Sequence, residues 1–202
     1  MIFLGDDMHI AIEGMDGVGK TTAARLLAER LDFELVEKPL HYLFDQDGST
    51  ENYIRIRDEV NANPNKIFSG WFYGLGNIYL YEHFGNRNII TDRHILSNYC
   101  WSGSNESDFV FDAIYRAIGH PDYTFIIYAP PEIVEKRLLN RDSQDSDLKK
   151  VSYVSEAYEK MIGTLEKYKM PGTVVDTSNK SPDEVVDFMI DVLGAEGIID
   201  VR

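Results

Sequence analysis

The stretch Gly14-Met15-Asp16-Gly17-Val18-Gly19-Lys20-Thr21 has the spacing G-x-x-x-x-G-K-[ST], the spacing at which a backbone can wrap a chain of phosphates. Glycines let N–H groups turn inward without a Cβ in the way, and a helix start behind them adds positive potential. In this arrangement Gly14, Gly17, Val18, Gly19 and Thr22 cradle a nucleoside triphosphate such as ATP. Lys20 bridges the β- and γ-phosphates, and the Thr21 hydroxyl joins the shell of a Mg²⁺ ion. At average residue frequencies the four fixed positions coincide in about one chain in a hundred of this length, so the match points to chemistry.

A second group, Asp92-Arg93-His94, directly follows the apolar run Ile89-Ile90. An acid and an arginine there emerge at a strand's carboxyl end, where open α/β sheets bind ligands. Asp92 can hold Mg²⁺ through water, and Arg93 can clamp an acceptor phosphate in a two-pronged fork. Phosphoryl transfer between a bound triphosphate and a second small molecule is the chemistry that both groups together allow.

These residues need a scaffold, and the chain supplies its pattern. Short apolar runs at His9–Glu13, 33–36, 88–92, 123–129 and 173–176 have strand length, and most lack clean alternation. Such runs suit strands covered on both faces, and the intervals between them hold helices. After Lys20, apolar residues from Ala23 to Leu31 recur at helical spacing. Ser181-Pro182-Asp183-Glu184 carries the signature of a capped helix start. A single α/β domain over residues 1–202 with a parallel sheet is the expectation.

Composition narrows the partners. The 202 residues carry 34 acidic and 20 basic side chains, a formal net charge of −14, which repels nucleic-acid backbones and anionic membranes. The ligand is therefore expected to be a small molecule held locally, with no nucleic acid and no membrane as partner. Cys100 is the one cysteine, so neither a disulfide scaffold nor a zinc site is supported, and a cytoplasmic setting fits. Met1-Ile2-Phe3-Leu4 stops at Gly5-Asp6-Asp7, too short for an export signal. The aromatic-rich segment from Ile67 to Phe84 is broken by Ser69, Gly70, Gly74, Gly76 and Asn77, which argues against a membrane span.

The pieces Ile12 to Thr22, Asp92 to Ser97, Pro121 to Thr124, Pro130 to Arg137 and Val175 to Thr177 run in an order that resembles the thymidylate kinase family of nucleoside monophosphate kinases. The resemblance implies a five-stranded parallel sheet with helices on both faces, ATP on the phosphate loop, a deoxynucleoside monophosphate as acceptor and a short lid at about residues 141–152. It implies a nucleotide contact from Arg137 and a transition-state cation from Arg141, since Gly17 stands where some members carry arginine. Asp16 takes the acceptor sugar's 3′-hydroxyl, and Phe72 stacks on the base. The family's thymine-reading arginine is absent in this register, because position 76 is glycine. The aromatic cluster around Trp71 reads equally as the base pocket or as plain core or dimer interface, and a homodimer is the expected assembly.

Two other readings compete. A deoxynucleoside kinase phosphorylates a free hydroxyl and needs a carboxylate base close to it; that related group carries Glu directly before the proline after the second strand. Here Lys38 precedes Pro39 and Glu37 lies one place earlier, and a lysine beside the acceptor suits a phosphate. A nucleotide-binding regulatory module has no need of Asp16, Arg93 and lid arginines together.

Overall fold

The computed structural model describes residues 7–200, so the Met1–Leu4 run lies outside the described residues. Among those residues five strands form one sheet in the order β2-β3-β1-β4-β5, every pair parallel. The strands are β1 (His9–Glu13), β2 (Glu34–Glu37), β3 (Ile89–Asp92), β4 (Tyr123–Tyr128) and β5 (Gly172–Asp176), each within a residue or two of its sequence-based expectation. β1, β3 and β4 are almost wholly buried, which explains their continuous apolar sequences: helices cover both faces.

The helices are α1 (Lys20–Leu31), a short α2 (His41–Phe44), α3 (Glu51–Ala62), α4 (Lys66–Phe84), α5 (Ile95–Ser102), α6 (Asp108–Ile118), α7 (Pro131–Arg141), α8 (Val154–Lys167) and α9 (Pro182–Ala195). A 3-10 segment, Ser146–Tyr153, joins α7 to α8 and falls where the lid is expected. The main core gathers Ile10, Ile12, Leu27, Phe111, Phe125, Val186 and Met189 around the sheet. The start of α9 is held as its sequence predicts: the Ser181 hydroxyl accepts from Glu184 N–H, and the Glu184 carboxylate accepts from Ser181 N–H. No helix among the described residues is long and apolar enough to cross a membrane.

The register places the chemistry. Ile12 pairs with Asp92, and Asp92 pairs with Glu37. Three loops therefore leave the sheet side by side: the phosphate loop after β1, Lys38 after β2 and Arg93 after β3.

Candidate active site

The phosphate loop departs from β1 because Gly14 and Gly17 adopt positive φ values of 140° and 81°. A Cβ on Gly14 would lie 2.5 Å from the Ile127 carbonyl oxygen, and one on Gly17 would meet Val134 and Leu138 of α7 at 3.0 Å. A side chain at Gly14 would collide with backbone, and one at Gly17 would be strained by its positive φ and crowded by two side chains of α7.

Lys20 begins α1 and is 5% exposed, its Nζ donating to the Met15 carbonyl at 3.2 Å and lying 3.9 Å from Asp92. Burial first, then the nearby Arg93 charge, pull its pKa down to about 8 against the attraction of Asp92, Asp16 and Glu13. A buried lysine held below its ordinary range is poised to gain from an incoming phosphate. The Thr21 hydroxyl donates to Asp92 Oδ2 at 2.5 Å, while Asp92 Oδ1 is buried without a hydrogen-bond partner among the described residues. A hydroxyl and a half-satisfied carboxylate side by side are hard oxygen donors that fit Mg²⁺.

Asp16 ties three segments together. Its Oδ1 accepts from Arg93 Nη2 at 2.5 Å and its Oδ2 from Lys150 Nζ at 2.9 Å. Burial raises its pKa, yet Arg93, Lys20 and Lys150 outweigh that and hold the carboxyl well below the usual carboxylate range. Arg93 also donates to the Gly14 carbonyl and to Ser97 Oγ. Both Lys38 and Arg93 are non-glycine residues at positive φ, 48° and 79°. Strain of this kind persists where surrounding structure imposes it, and it gathers at functional sites.

Glu13 is one source of that constraint. Its carboxylate, 0% exposed, accepts from the backbone N–H groups of His94 and Leu96 at 2.9 Å each and of Ser97 at 3.1 Å, and from the Ser97 hydroxyl. It thereby satisfies the orphan donors at the start of α5 and fixes the turn that carries Arg93. Burial pushes its pKa up against the Ser97 bonds and the Arg93 charge. Sequence reasoning read Glu13 as the strand's last residue; the signal lay in an acid ending an apolar strand.

A cavity of about 740 Å³ opens beside these groups, walled by Asp16, Lys38, Arg93 and Ser97, and by residues of α3, α4, α5 and the 3-10 segment. On α3 the wall residues Tyr53, Arg57 and Asn61 recur every four positions; that one-turn spacing was the available signal in a stretch where no landmark stood out. On α4 they are Lys66, Ser69 and Tyr73. Phe72 lies outside the wall residues of this cavity: its ring stacks on Phe44 at 6.3 Å and meets Tyr73 edge-on at 5.1 Å. The base-stacking expectation for Phe72 thus meets a ring turned one position around α4, with Tyr73 facing the cavity. Helix geometry explains this, since Ser69 and Tyr73 share a face that Phe72 does not. Behind Lys38 and Arg93 a smaller chamber of about 100 Å³ reaches Gly76, Asn77 and Asn98.

A separate cavity of about 230 Å³ lies on the other side of the loop, walled by Val18, Gly19, Thr22, Ala23, Arg137, Thr177, Lys180, Pro182 and Val185. Arg137 reaches it from α7, donating to the Val18 carbonyl at 3.1 Å and the Thr177 carbonyl at 2.7 Å. Arg141 does not join either cavity's described walls. It is 56% exposed, and its guanidinium donates to Asp145 Oδ2 at 2.6 Å and Asp147 Oδ2 at 3.0 Å.

A Methanocaldococcus jannaschii protein that carries a thymidylate kinase name is 26% identical over 93% of this chain and 96% of its own. A Thermococcus onnurineus protein that carries an adenylate kinase name is 28% identical over 92% of this chain and 84% of its own. The crystal structure of Candida albicans thymidylate kinase shares the fold at a TM-score of 0.68 with 16% identity, covering 95% of this chain and 92% of that one. The thymidylate kinase family model matches residues 79–189. That span is more than half of the 202-residue chain and runs from α4 through β3 and the 3-10 segment into α9, and on it the chain belongs to the thymidylate kinase family.

Proposed function

We propose that this chain transfers the γ-phosphoryl group of Mg-bound ATP to a deoxynucleoside monophosphate, with its base left open between the pyrimidine and purine names that its relatives carry. The observation that carries this reading is the meeting of Arg93 and Lys20 across Asp16 and Asp92. One cation faces the phosphate loop and the other faces a separate cavity, so donor and acceptor phosphates have distinct partners. The triphosphate lies along Gly14–Thr22, and its base enters the cavity beside Arg137 and Thr177. Thr21 and Asp92 would hold Mg²⁺, which would supply charge neutralisation at the phosphates.

On the acceptor side Arg93 and Lys38 take the 5′-phosphate, and Asp16 accepts from the sugar's 3′-hydroxyl. Lys20 and Arg93 have little covalent work to do; they orient two anions and stabilise the charge between them. If this is correct, Arg93→Ala raises the acceptor Michaelis constant by more than about 10-fold and also lowers kcat, because the arginine touches the acceptor in both ground and transition states. The ATP constant changes little. Steady-state kinetics on both substrates check this, and an effect confined to ATP would contradict it.

A further inference from the structure

Resting on that reading, we propose that the small chamber behind Lys38 and Arg93 is a specificity subsite for a polar substituent on the acceptor's base, and that the preferred acceptor is a deoxypyrimidine monophosphate bearing a hydroxymethyl group where thymine has a methyl. His94 is the wall that points to a ligand. It is 2% exposed, it lines the chamber, and both of its ring nitrogens are buried without a hydrogen-bond partner among the described residues. Burial alone does not force this, because the neighbouring His9, 5% exposed, bonds Tyr81 Oη at 2.7 Å and Thr91 Oγ1 at 2.9 Å through its two nitrogens. A buried polar group left unpaired by the protein is met by a ligand or by water.

The rest of the chamber has the matching chemistry. Asn77 and Asn98 line it as an amide pair, Asn98 Nδ2 donating to Asn77 Oδ1 and to the Tyr73 carbonyl. Leu40 and Leu80 form an apolar flank, and a Cβ at Gly76 would press on Leu40 at 3.3 Å, so the glycine keeps that side open. The volume of about 100 Å³ equals the share of roughly three waters at about 30 Å³ each. That is more than a methyl group fills and enough for a methylene with a hydroxyl. Tyr53, Tyr73 and Asn98 wall both this chamber and the large cavity. With the acceptor phosphate on Arg93 and the sugar on Asp16, the edge of the base reaches the chamber across those shared walls. The methylene packs on Leu40 and Leu80, and the hydroxyl, both donor and acceptor, meets the imidazole and an amide. A methyl would leave His94 unpaired, so the subsite discriminates against thymine as well as for the polar group.

The test measures kcat/KM in the full chain with ATP-Mg and deoxyuridine monophosphates carrying hydrogen, methyl, hydroxymethyl or ethyl at the ring position where thymine has its methyl, with deoxyadenylate alongside. Hydroxymethyl against ethyl isolates polarity at nearly equal size. Wild type is expected to favour hydroxymethyl over both ethyl and methyl by about 10-fold or more. In His94→Leu the hydroxymethyl-to-ethyl ratio should fall to within about threefold of unity, and in His94→Gln, which keeps a hydrogen-bonding side chain, it should recover in part. A merely structural lesion lowers every acceptor alike and leaves that ratio as it was. Nitrogen NMR of the wild-type His94 ring reads the same contact without a substitution: one ring nitrogen should shift when the hydroxymethyl acceptor binds and not when the ethyl one does. Equal use of methyl and hydroxymethyl acceptors by wild type, an unchanged ratio in His94→Leu, a ring signal indifferent to the hydroxyl, or turnover confined to deoxyadenylate would each overturn the proposal. A wild-type protein that phosphorylates no nucleoside monophosphate of the panel would instead overturn the phosphoryl-transfer reading beneath it.

Discussion

Lys20 shows how one side chain's surroundings become a measurable property. Burial and the Arg93 charge hold its pKa near 8, against an ordinary 10.5. A lysine depressed in the folded state disfavours folding while it is charged, so between pH 8 and 10.5 the unfolded chain binds more protons and stability rises with pH. A bound triphosphate has the opposite preference, since it favours the ammonium. Above pH 8, ATP binding should therefore take up a proton, and affinity should fall toward about tenfold per pH unit. Calorimetry at pH 9 in buffers of differing ionisation heat checks this: uptake approaching one proton is expected, and none would contradict the assignment of Lys20 to the phosphates. That Lys20, Thr21, Asp92, Arg93 and Asp16 come together was legible because each sits inside a spaced motif. The contacts of Glu13 and Lys150 were not, since they depend on partners far away in sequence: Glu13 on the α5 start 81 to 84 positions on, and Lys150 on Asp16 134 positions back.

At the scale of elements, α4 carries two faces with different consequences. Its inner side packs on α6 through Gly70 and Gly74, where an added Cβ would meet Phe111 and Ile114. Its outer side exposes Phe68, Trp71, Leu75 and Ile78, spaced three or four residues apart, at 48%, 43%, 43% and 37%. An apolar stripe of this length on a surface helix marks a contact, and we propose it as the face through which a homodimer would form. Trp71→Glu should shift the molecular mass in light scattering from two chains to one while leaving the thermal midpoint of the monomer nearly unchanged. An unchanged dimer would move the interface elsewhere. The strands were legible because each is a short apolar run ended by glycine, proline or a charged residue. Which of the adjacent Phe72 and Tyr73 faces the cavity was not, because it depends on how α4 sits among its neighbours: Tyr73 lines the cavity while Phe72 stacks on Phe44 of α2.

For the molecule as a whole, the carboxyl ends of the strands assemble the site: parallel pairing brings the ends of β1, β2 and β3 together, and helices between the strands wall the cavities. The net charge of −14 makes the cationic group at that edge the local exception, suited to small anions. The central claim is that the second anion is a nucleoside monophosphate. Its rival places Glu37 as base beside a free sugar hydroxyl; Glu37 pairs with Asp92 in the sheet, one residue before Lys38. The direct measurement is chromatography of products from ATP-Mg with matched nucleosides and nucleoside monophosphates, for wild type and Glu37→Gln. The account predicts a diphosphate formed from a monophosphate, with Glu37→Gln keeping at least about a tenth of wild-type turnover, since loss of a true general base costs about 10² to 10⁴-fold. A nucleoside converted efficiently to its monophosphate, with that activity abolished by Glu37→Gln, would contradict it.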